Sequence, residues 1–331
     1  MSPLTGAVGI SALAAGREAA SFPRMWNPRR WLALGIVLAG VHALSAAEHF
    51  TVATYNVENY LHTDVAGRRS KPAESKARVA DTLLALRADV LALQEIGCTN
   101  ALLELRARLR AGGLDYAHWE HVTAYDTNIH VAVLSRFPFS ARRPHTNEQF
   151  LLDGRRFEVR RGFAEVEVEV NARYRFTLLA AHLKSKLPAL GANEAELRLQ
   201  EARMLRAKID GHLKANPNVN LMVLGDLNDT HTSKPIRAVV GRGANELVDT
   251  RPPERGPGVV GSQVAPTGTN SVAWTYFYNR EETYSRFDYV LLSKGMAKEW
   301  NRVNSFVFAL PYWAEASDHR PVLVTLLAED K

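Results

Sequence analysis

The chain has 331 residues, 46% hydrophobic and 23% charged, enough for one large α/β domain or two small ones with a sizeable core. Its single cysteine, Cys98, excludes an intrachain disulfide and a thiolate cluster, so a metal site would need carboxylates, amides and histidines and would suit a hard cation such as Mg²⁺, Ca²⁺ or Mn²⁺. Of the net charge of +6, residues 1–47 carry +3 (Arg17, Arg24, Arg29 and Arg30 against Glu18); the remaining 37 basic and 34 acidic residues are too evenly balanced to argue for nucleic acid.

Met25-Trp26-Asn27-Pro28-Arg29-Arg30 is a short positive head. The apolar run Trp31–Val41, 11 residues long, follows, and then the small residues Ala43-Leu44-Ser45-Ala46-Ala47. This is the plan of a secretory signal peptide, with cleavage expected after Ala47 or Ser45. The run is short for a membrane-spanning helix, and an uncleaved membrane anchor is the alternative. Residues 1–24 lie upstream of a full signal, so Met25 reads as the start. The expected organisation is an upstream extension plus signal over 1–47 (the signal about 25–47), then a single domain over 48–331. That places the folded part outside the cytoplasm, secreted or periplasmic.

Phe50–Val57 alternates and is β-rich, which predicts a strand. Lys71–Leu86 has apolar residues at helical spacing. Asp89–Glu95 reads as a buried strand ending in an acid, and Asn100–Leu109 as a helix closed by Gly112-Gly113. Ile129–Leu134 is a strand stopped by Pro138. Arg161–Val170 and Tyr174–Leu183 form a predicted hairpin turning at Asn171-Ala172-Arg173. Glu194–Leu213 is a long amphipathic helix. Val219–Leu224 is a short apolar strand ended by Gly225, and a short helix is expected near Ser233–Val240. Arg251–Gly268, rich in Pro and Gly, reads as a loop. Strands return at Ala273–Phe277, Arg286–Leu292, Val303–Phe308 and Arg320–Leu327. Strands and helices interleave with no linker long enough to divide the domain, so an α/β class is expected.

The informative pattern is the polar residue at each strand end. Asn56, Glu95 and His182 each end an apolar strand. Asp226 and Asn228 follow another; two apart, they would share one face of an extended chain. Asp288 lies in Arg286-Phe287-Asp288-Tyr289, and Asp318-His319 precedes the last strand. Each element alone has an innocent reading as a turn cap or a solvated acid. Together they are the groups needed to bind a cation, orient a water and grip an anionic oxygen.

In order, Thr54-Tyr55-Asn56-Val57-Glu58-Asn59, Leu93-Gln94-Glu95, Val131–Arg136, Ala181-His182-Leu183, Gly225-Asp226-Leu227-Asn228, Arg286-Phe287-Asp288-Tyr289 and Ser317-Asp318-His319 resemble the endonuclease/exonuclease/phosphatase (DNase I-like) superfamily. The resemblance covers residues 50–327. It implies a four-layer α/β sandwich, two packed mixed β-sheets flanked by helices, and metal-dependent hydrolysis of phosphoester bonds by in-line attack of water. It implies Glu95 as main ligand of Mg²⁺ (or Mn²⁺ or Ca²⁺), with Asn56 beside it and Asp318 as a further ligand or a support for Glu95. Asp226 would orient and deprotonate the water, and Asn228 would bind the phosphate. His182 and His319 would donate to non-bridging oxygens, with Asp288 fixing the His319 ring. Asn128, His130, Trp274 and Arg286 are further candidates for substrate binding.

Ala181-His182-Leu183-Lys184-Ser185 stands where abasic-site repair enzymes of the superfamily carry a Tyr-Val-Pro-Asn-like stretch. That points away from DNA repair, in keeping with a secreted protein. The expected activity is a secreted, monomeric phosphodiesterase acting on nucleic acid. The alternatives are a phospholipid or inositol-phosphate phosphoesterase and a non-catalytic binding module.

Overall fold

A computed structural model of the chain describes residues 48–189, 191–256 and 273–331; the expected signal segment and most of the Arg251–Gly268 loop lie outside the described residues. The elements begin with β1 (His49–Tyr60), α1 (Ala73–Leu86), β2 (Val90–Ile96), α2 (Thr99–Ala111), β3 (His118–Val122), β4 (His130–Ser135), β5 (Phe139–Arg142), β6 (Gln149–Leu152) and β7 (Arg155–Glu158). They continue with β8 (Phe163–Glu169), β9 (Arg175–His182), α3 (Glu194–Ala215), β10 (Leu221–Asp226), α4 (Lys234–Val240), β11 (Val248–Asp249) and β12 (Glu254–Arg255). The last are β13 (Tyr276–Tyr278), β14 (Thr283–Ser285), β15 (Asp288–Leu292), β16 (Trp300–Phe308), α5 (Trp313–Ala316) and β17 (Val322–Leu327).

Two mixed sheets result: seven strands in the order β12-β16-β17-β1-β2-β4-β3, and six in the order β11-β15-β10-β9-β8-β5. Alternation along each strand assigns its two faces. In β1, Phe50 and Val52 face the other sheet while Ala53 and Tyr55 face the helices; in β9, Phe176, Leu178 and Ala180 face inward while Leu179 and Ala181 face α3. One apolar core therefore lies between the sheets. A second lies under α1 and α2, and a third under α3 and α4, completing the four layers. Each fully buried Val or Leu contributes about 1.5–3 kcal/mol, which makes the sandwich stiff enough to hold polar groups at its end.

Local chemistry fixes the boundaries. Asn193 caps α3, its Oδ1 accepting from the N–H groups of Ala195 (2.9 Å) and Glu196 (3.2 Å). The predicted hairpin turns where expected, with Asn171 Oδ1 accepting from the N–H groups of Arg173 and Tyr174, both at 2.9 Å.

The structure corrects the sequence reading in several places. Glu254 and Arg255, expected in a loop, form β12 and pair with β16. Strand pairing starts at Tyr276 rather than Ala273 and at Asp288 rather than Arg286. Strands β3 and β5 and the β6–β7 hairpin carry no expectation, because they are half-buried edge or surface pieces without an apolar alternation.

Candidate active site

The inward parity of the strands continues past the last apolar residue. In β1 it runs from Phe50 and Val52 to Asn56; in β9 from Ala180 to His182; in β10 from Leu224 to Asp226; in β15 from Val290 back to Asp288. All four polar residues are at most 2% exposed. The site is thus the polar end of the inter-sheet core.

Glu95 breaks this rule. Leu91 and Leu93 face the helix layer, and a regular strand would send Glu95 there too. Instead the pairing of β2 with β4 shifts register between Gln94 and Ile96, and Glu95 takes φ +61°. This bulge turns its carboxylate to the cleft, where Oε1 lies 3.9 Å from His182 Nε2. Asn228 likewise adopts φ +55°. It converges with Asp226 through that turn, and not through the extended chain expected from their spacing. Its N–H donates to Asp226 Oδ1 (2.9 Å), and its Nδ2 to Asp226 Oδ2 (3.2 Å) and to the Leu183 carbonyl (3.0 Å). Left-handed backbone at non-glycine residues costs about 1–3 kcal/mol each, and Glu58, Asn59, Glu95 and Asn228 all carry it at this end of the molecule. Gly225 is required for another reason: a Cβ there would lie 1.9 Å from the Ala181 carbonyl oxygen, so only glycine lets β10 approach β9 this closely.

Asp226 is the hub. Asn56 Nδ2 donates to its Oδ2 at 3.0 Å, and His182 Nε2 and His319 Nε2 lie 3.4 and 3.7 Å from the same oxygen. Burial pushes the Asp226 carboxyl up to about 7, with Asp288 adding to it, against the pull of His319 and of the Asn56 and Asn228 hydrogen bonds. The two histidines diverge. Burial, with the positive charges of Arg161, His319 and Arg68, holds His182 well below its ordinary value, so it is neutral. Burial also opposes charge on His319, but Asp288, 2.8 Å from Nδ1, and Asp226 outweigh it, so His319 is an imidazolium. Ser317 ties two strand ends together: its hydroxyl donates to the Asn56 carbonyl (2.7 Å) and accepts from the His319 N–H (3.1 Å).

The donor set fits a hard cation. Asp318 is pushed up to about 7 by burial, against His319, with Glu58 and Glu95 adding to it. That accumulation of negative charge is what a bound cation relieves. Among the described residues no group of three or more His, Cys, Asp or Glu side chains forms a ready cage. Two carboxylates completed by water and phosphate oxygens is the usual arrangement for Mg²⁺. Asn56 has a different first task from the one the resemblance implies: its Oδ1 accepts from the Glu58 N–H (2.9 Å) while its Nδ2 orients Asp226.

Four other candidates stand elsewhere. His130 shares the helix-side face of β4 with Ala132 and Leu134, stacks on His121 at 4.7 Å, and is pushed down to about 4 by burial; it faces away from the cleft. Trp274 lies in an outer cluster with Tyr284, Trp313 and the Arg320 guanidinium. Arg286 is bound by Asp249 through two bonds of 3.0 and 2.7 Å, which occupies its fork. Asn128 sits on the rim, its N–H held by Asp126.

Two further residues, Arg68 and Tyr276, stand at the site. Arg68 Nη1 lies 3.6 Å from Glu95 and donates to Asn59 (2.6 Å). The Tyr276 ring lies 4.7 Å from the His319 ring. Arg68 lies in residues 60–70, which read in sequence as a rim of the cleft, and there it reads either as a phosphate contact or as a solvated loop charge; its approach to Glu95 is set by the tertiary structure. In sequence Tyr276 and Trp274 both read as rings that could line the cleft and stack on a base, with core packing the alternative for one of them; the structure brings Tyr276 to His319 and packs Trp274 outside. Lys184 donates to the carbonyls of Ser185 (2.8 Å) and Leu187 (2.6 Å), which holds its ammonium in its own loop.

The fold resembles several solved structures. Truncated Caenorhabditis elegans TDP2 matches at TM-score 0.57 and 17% identity, over 85% of this chain and 98% of that one. The human Nocturnin catalytic domain matches at 0.58 and 15%, over 84% and 93%. Sphingomyelinase C from Streptomyces griseocarneus matches at 0.54 and 18%, over 84% and 99%. A search of curated proteins finds no match. A model of the endonuclease/exonuclease/phosphatase family matches residues 53–319, a span that includes every strand end converging on Asp226, and the chain belongs to that family.

Proposed function

We propose that this protein is a secreted, divalent-metal-dependent phosphodiesterase that hydrolyses nucleic acid by in-line attack of water. The observation that carries the reading is the convergence on Asp226: one buried carboxylate with a neutral histidine, an imidazolium and two amides around it, beside Glu95 and Asp318.

Asp226 Oδ2 holds the attacking water and takes its proton, with the Asn56 and Asn228 amides fixing the carboxylate plane. The His319 imidazolium, held by Asp288, donates to a non-bridging phosphate oxygen as charge develops there. Neutral His182 keeps a second ring nitrogen at the same oxygen cluster without adding charge. A divalent cation held by Glu95 and Asp318 would supply Lewis-acid neutralisation of the phosphate. Tyr276, half-buried and packed between Phe287 and His319, brings aromatic rings up to the site, which is in keeping with a substrate carrying bases. The aromatic β13–β14 hairpin ends in Asn279-Arg280-Glu281-Glu282, a polar tip unsuited to insertion into lipid.

The test is hydrolysis of plasmid DNA, RNA, bis-p-nitrophenyl phosphate, sphingomyelin and an inositol polyphosphate with Mg²⁺, Mn²⁺ or Ca²⁺, each against EDTA. Nicking of plasmid that EDTA abolishes is the expected result. Turnover confined to the lipid or the phosphomonoester would overturn the substrate, and full activity in EDTA would overturn the metal. Secretion is checked by sequencing the amino terminus of the exported protein, expected to begin just after Ser45 or Ala47; an intact leader on cytoplasmic protein would sink it.

A further inference from the structure

The loop before β4 and the connection between β7 and β8 bring together a pair of side chains, Tyr125 and Arg160, that neither the fold nor the chemistry uses. Tyr125 is 58% exposed, and the Arg160 guanidinium lies 5.6 Å from its ring centroid. Arg160's acidic neighbour is distant, with Nη2 3.9 Å from Asp126 Oδ2. Arg160 is half-exposed and the pair is too long for a hydrogen bond, so the charge stays available to a ligand.

The pair is held rigidly beside the cleft. Asp126, buried beneath it, accepts from the N–H groups of Asn128 (3.1 Å) and Ile129 (3.3 Å), and its own N–H donates to the Arg160 carbonyl (2.6 Å). Arg161 donates to the Leu183 carbonyl at 3.0 Å, one residue past His182. Glu201 of α3 accepts from the N–H of Arg160 (3.2 Å) and from that of Lys184 (2.6 Å), locking the two loops together. On the other side the loop enters β4, whose first residue, His130, pairs with Ile96 next to Glu95. Tyr125 and Arg160 therefore stand on the rim between the Glu95 and His182 edges of the site. An aromatic face with a cation against it is the chemistry that takes a base and its phosphate.

We propose that Tyr125 and Arg160 form a nucleotide subsite on the rim, the ring stacking on a nucleobase and the guanidinium binding the phosphate beside it. This deepens the nucleic-acid reading above and rests on it. The subsite engages a nucleotide flanking the scissile bond and touches no reacting atom.

The test separates binding from turnover. Fluorescence anisotropy of a dye-labelled single-stranded oligonucleotide, in EDTA, compares the parent protein with Tyr125→Ala and Arg160→Gln. Each variant is expected to bind about tenfold more weakly, and Tyr125→Phe to bind as the parent does. Arg160→Gln should also reduce the slope of log affinity against log salt by about 1. Hydrolysis of bis-p-nitrophenyl phosphate, too small to span the rim, should be unchanged in all three variants. Parent-like affinity in Tyr125→Ala and Arg160→Gln, no binding by the parent, or an equal loss on the small diester would overturn the subsite. Parent binding that both variants weaken, without cleavage once Mg²⁺ is added, would support the subsite and sink the nuclease. Cleavage by all with equal affinity would do the reverse.

Discussion

Two buried carboxylates in this molecule each sit between two histidines, and they have opposite electrostatics. Asp226, at the end of β10, has His182 and His319 within 3.7 Å, and its carboxyl is pushed up to about 7. Glu165, in β8, has His145 Nε2 at 2.8 Å and His212 Nε2 at 3.1 Å, and is held well below the ordinary carboxylate range. Burial raises both. At Glu165 it is outweighed by three donors: the two histidines and the Arg143 guanidinium, which closes on Oε1. At Asp226 the close partners are neutral amides and a neutral histidine, and the one imidazolium is shared with Asp288. The same residue types thus make a fully satisfied brace joining β8, α3 and the loop after β5 in one place, and an under-neutralised, proton-seeking centre in the other.

The largest expected effect tests the reactive side. Asp226→Asn should lower kcat on bis-p-nitrophenyl phosphate by about 10³-fold or more while leaving the thermal unfolding midpoint near that of the parent. Parent-level turnover would remove Asp226 from the chemistry. Asp288→Asn removes the group that holds the His319 ring and its charge, and should lower kcat by about 10²-fold with little change in KM, read from steady-state kinetics on the same diester. An effect confined to KM would move His319 to ground-state binding.

Glu165→Gln should do the opposite of Asp226→Asn. It replaces the buried acceptor of three partly exposed donors, so unfolding free energy from urea titration should fall by about 1–3 kcal/mol at neutral pH, while kcat stays at the parent value. Its sign with pH follows from the depressed carboxyl. The stabilisation is present above the unfolded carboxylate value and is lost as pH falls toward the strongly depressed folded value, so the gap between parent and variant should begin to narrow below about pH 4 and close only well below it. A stability gap that does not narrow at all as pH falls below about 4 would mean that Glu165 acts through packing alone. Loss of activity in this variant would blur the contrast between the two clusters.

The sequence showed the residues of the reactive cluster because each stands at, or within a few residues of, an end of an apolar strand. There a polar side chain has no packing to explain it, and for Asn56, His182, Asp226 and Asp288 parity carries it inward. The Glu165 cluster was not legible. Its acid sits in Glu165-Val166-Glu167-Val168-Glu169, which reads as an ordinary alternating strand, and its partners come from segments 20 and 47 residues away. Arg286 and Trp274 misled for a related reason: a cation and an aromatic ring next to a functional motif look available until tertiary neighbours occupy them.

By itself the sequence determined the order of the main strands and helices, which face of each strand is apolar, and which polar groups terminate them, because those follow from periodicity along the chain. Only the tertiary structure decided that Glu95 turns inward, since that depends on a one-residue register shift against β4 and a positive φ that no local pattern marks. It also decided the charge states. Whether His182 is neutral and His319 is not depends on which carboxylates and cations burial brings within a few ångströms, and that distance is a property of the packed sheets.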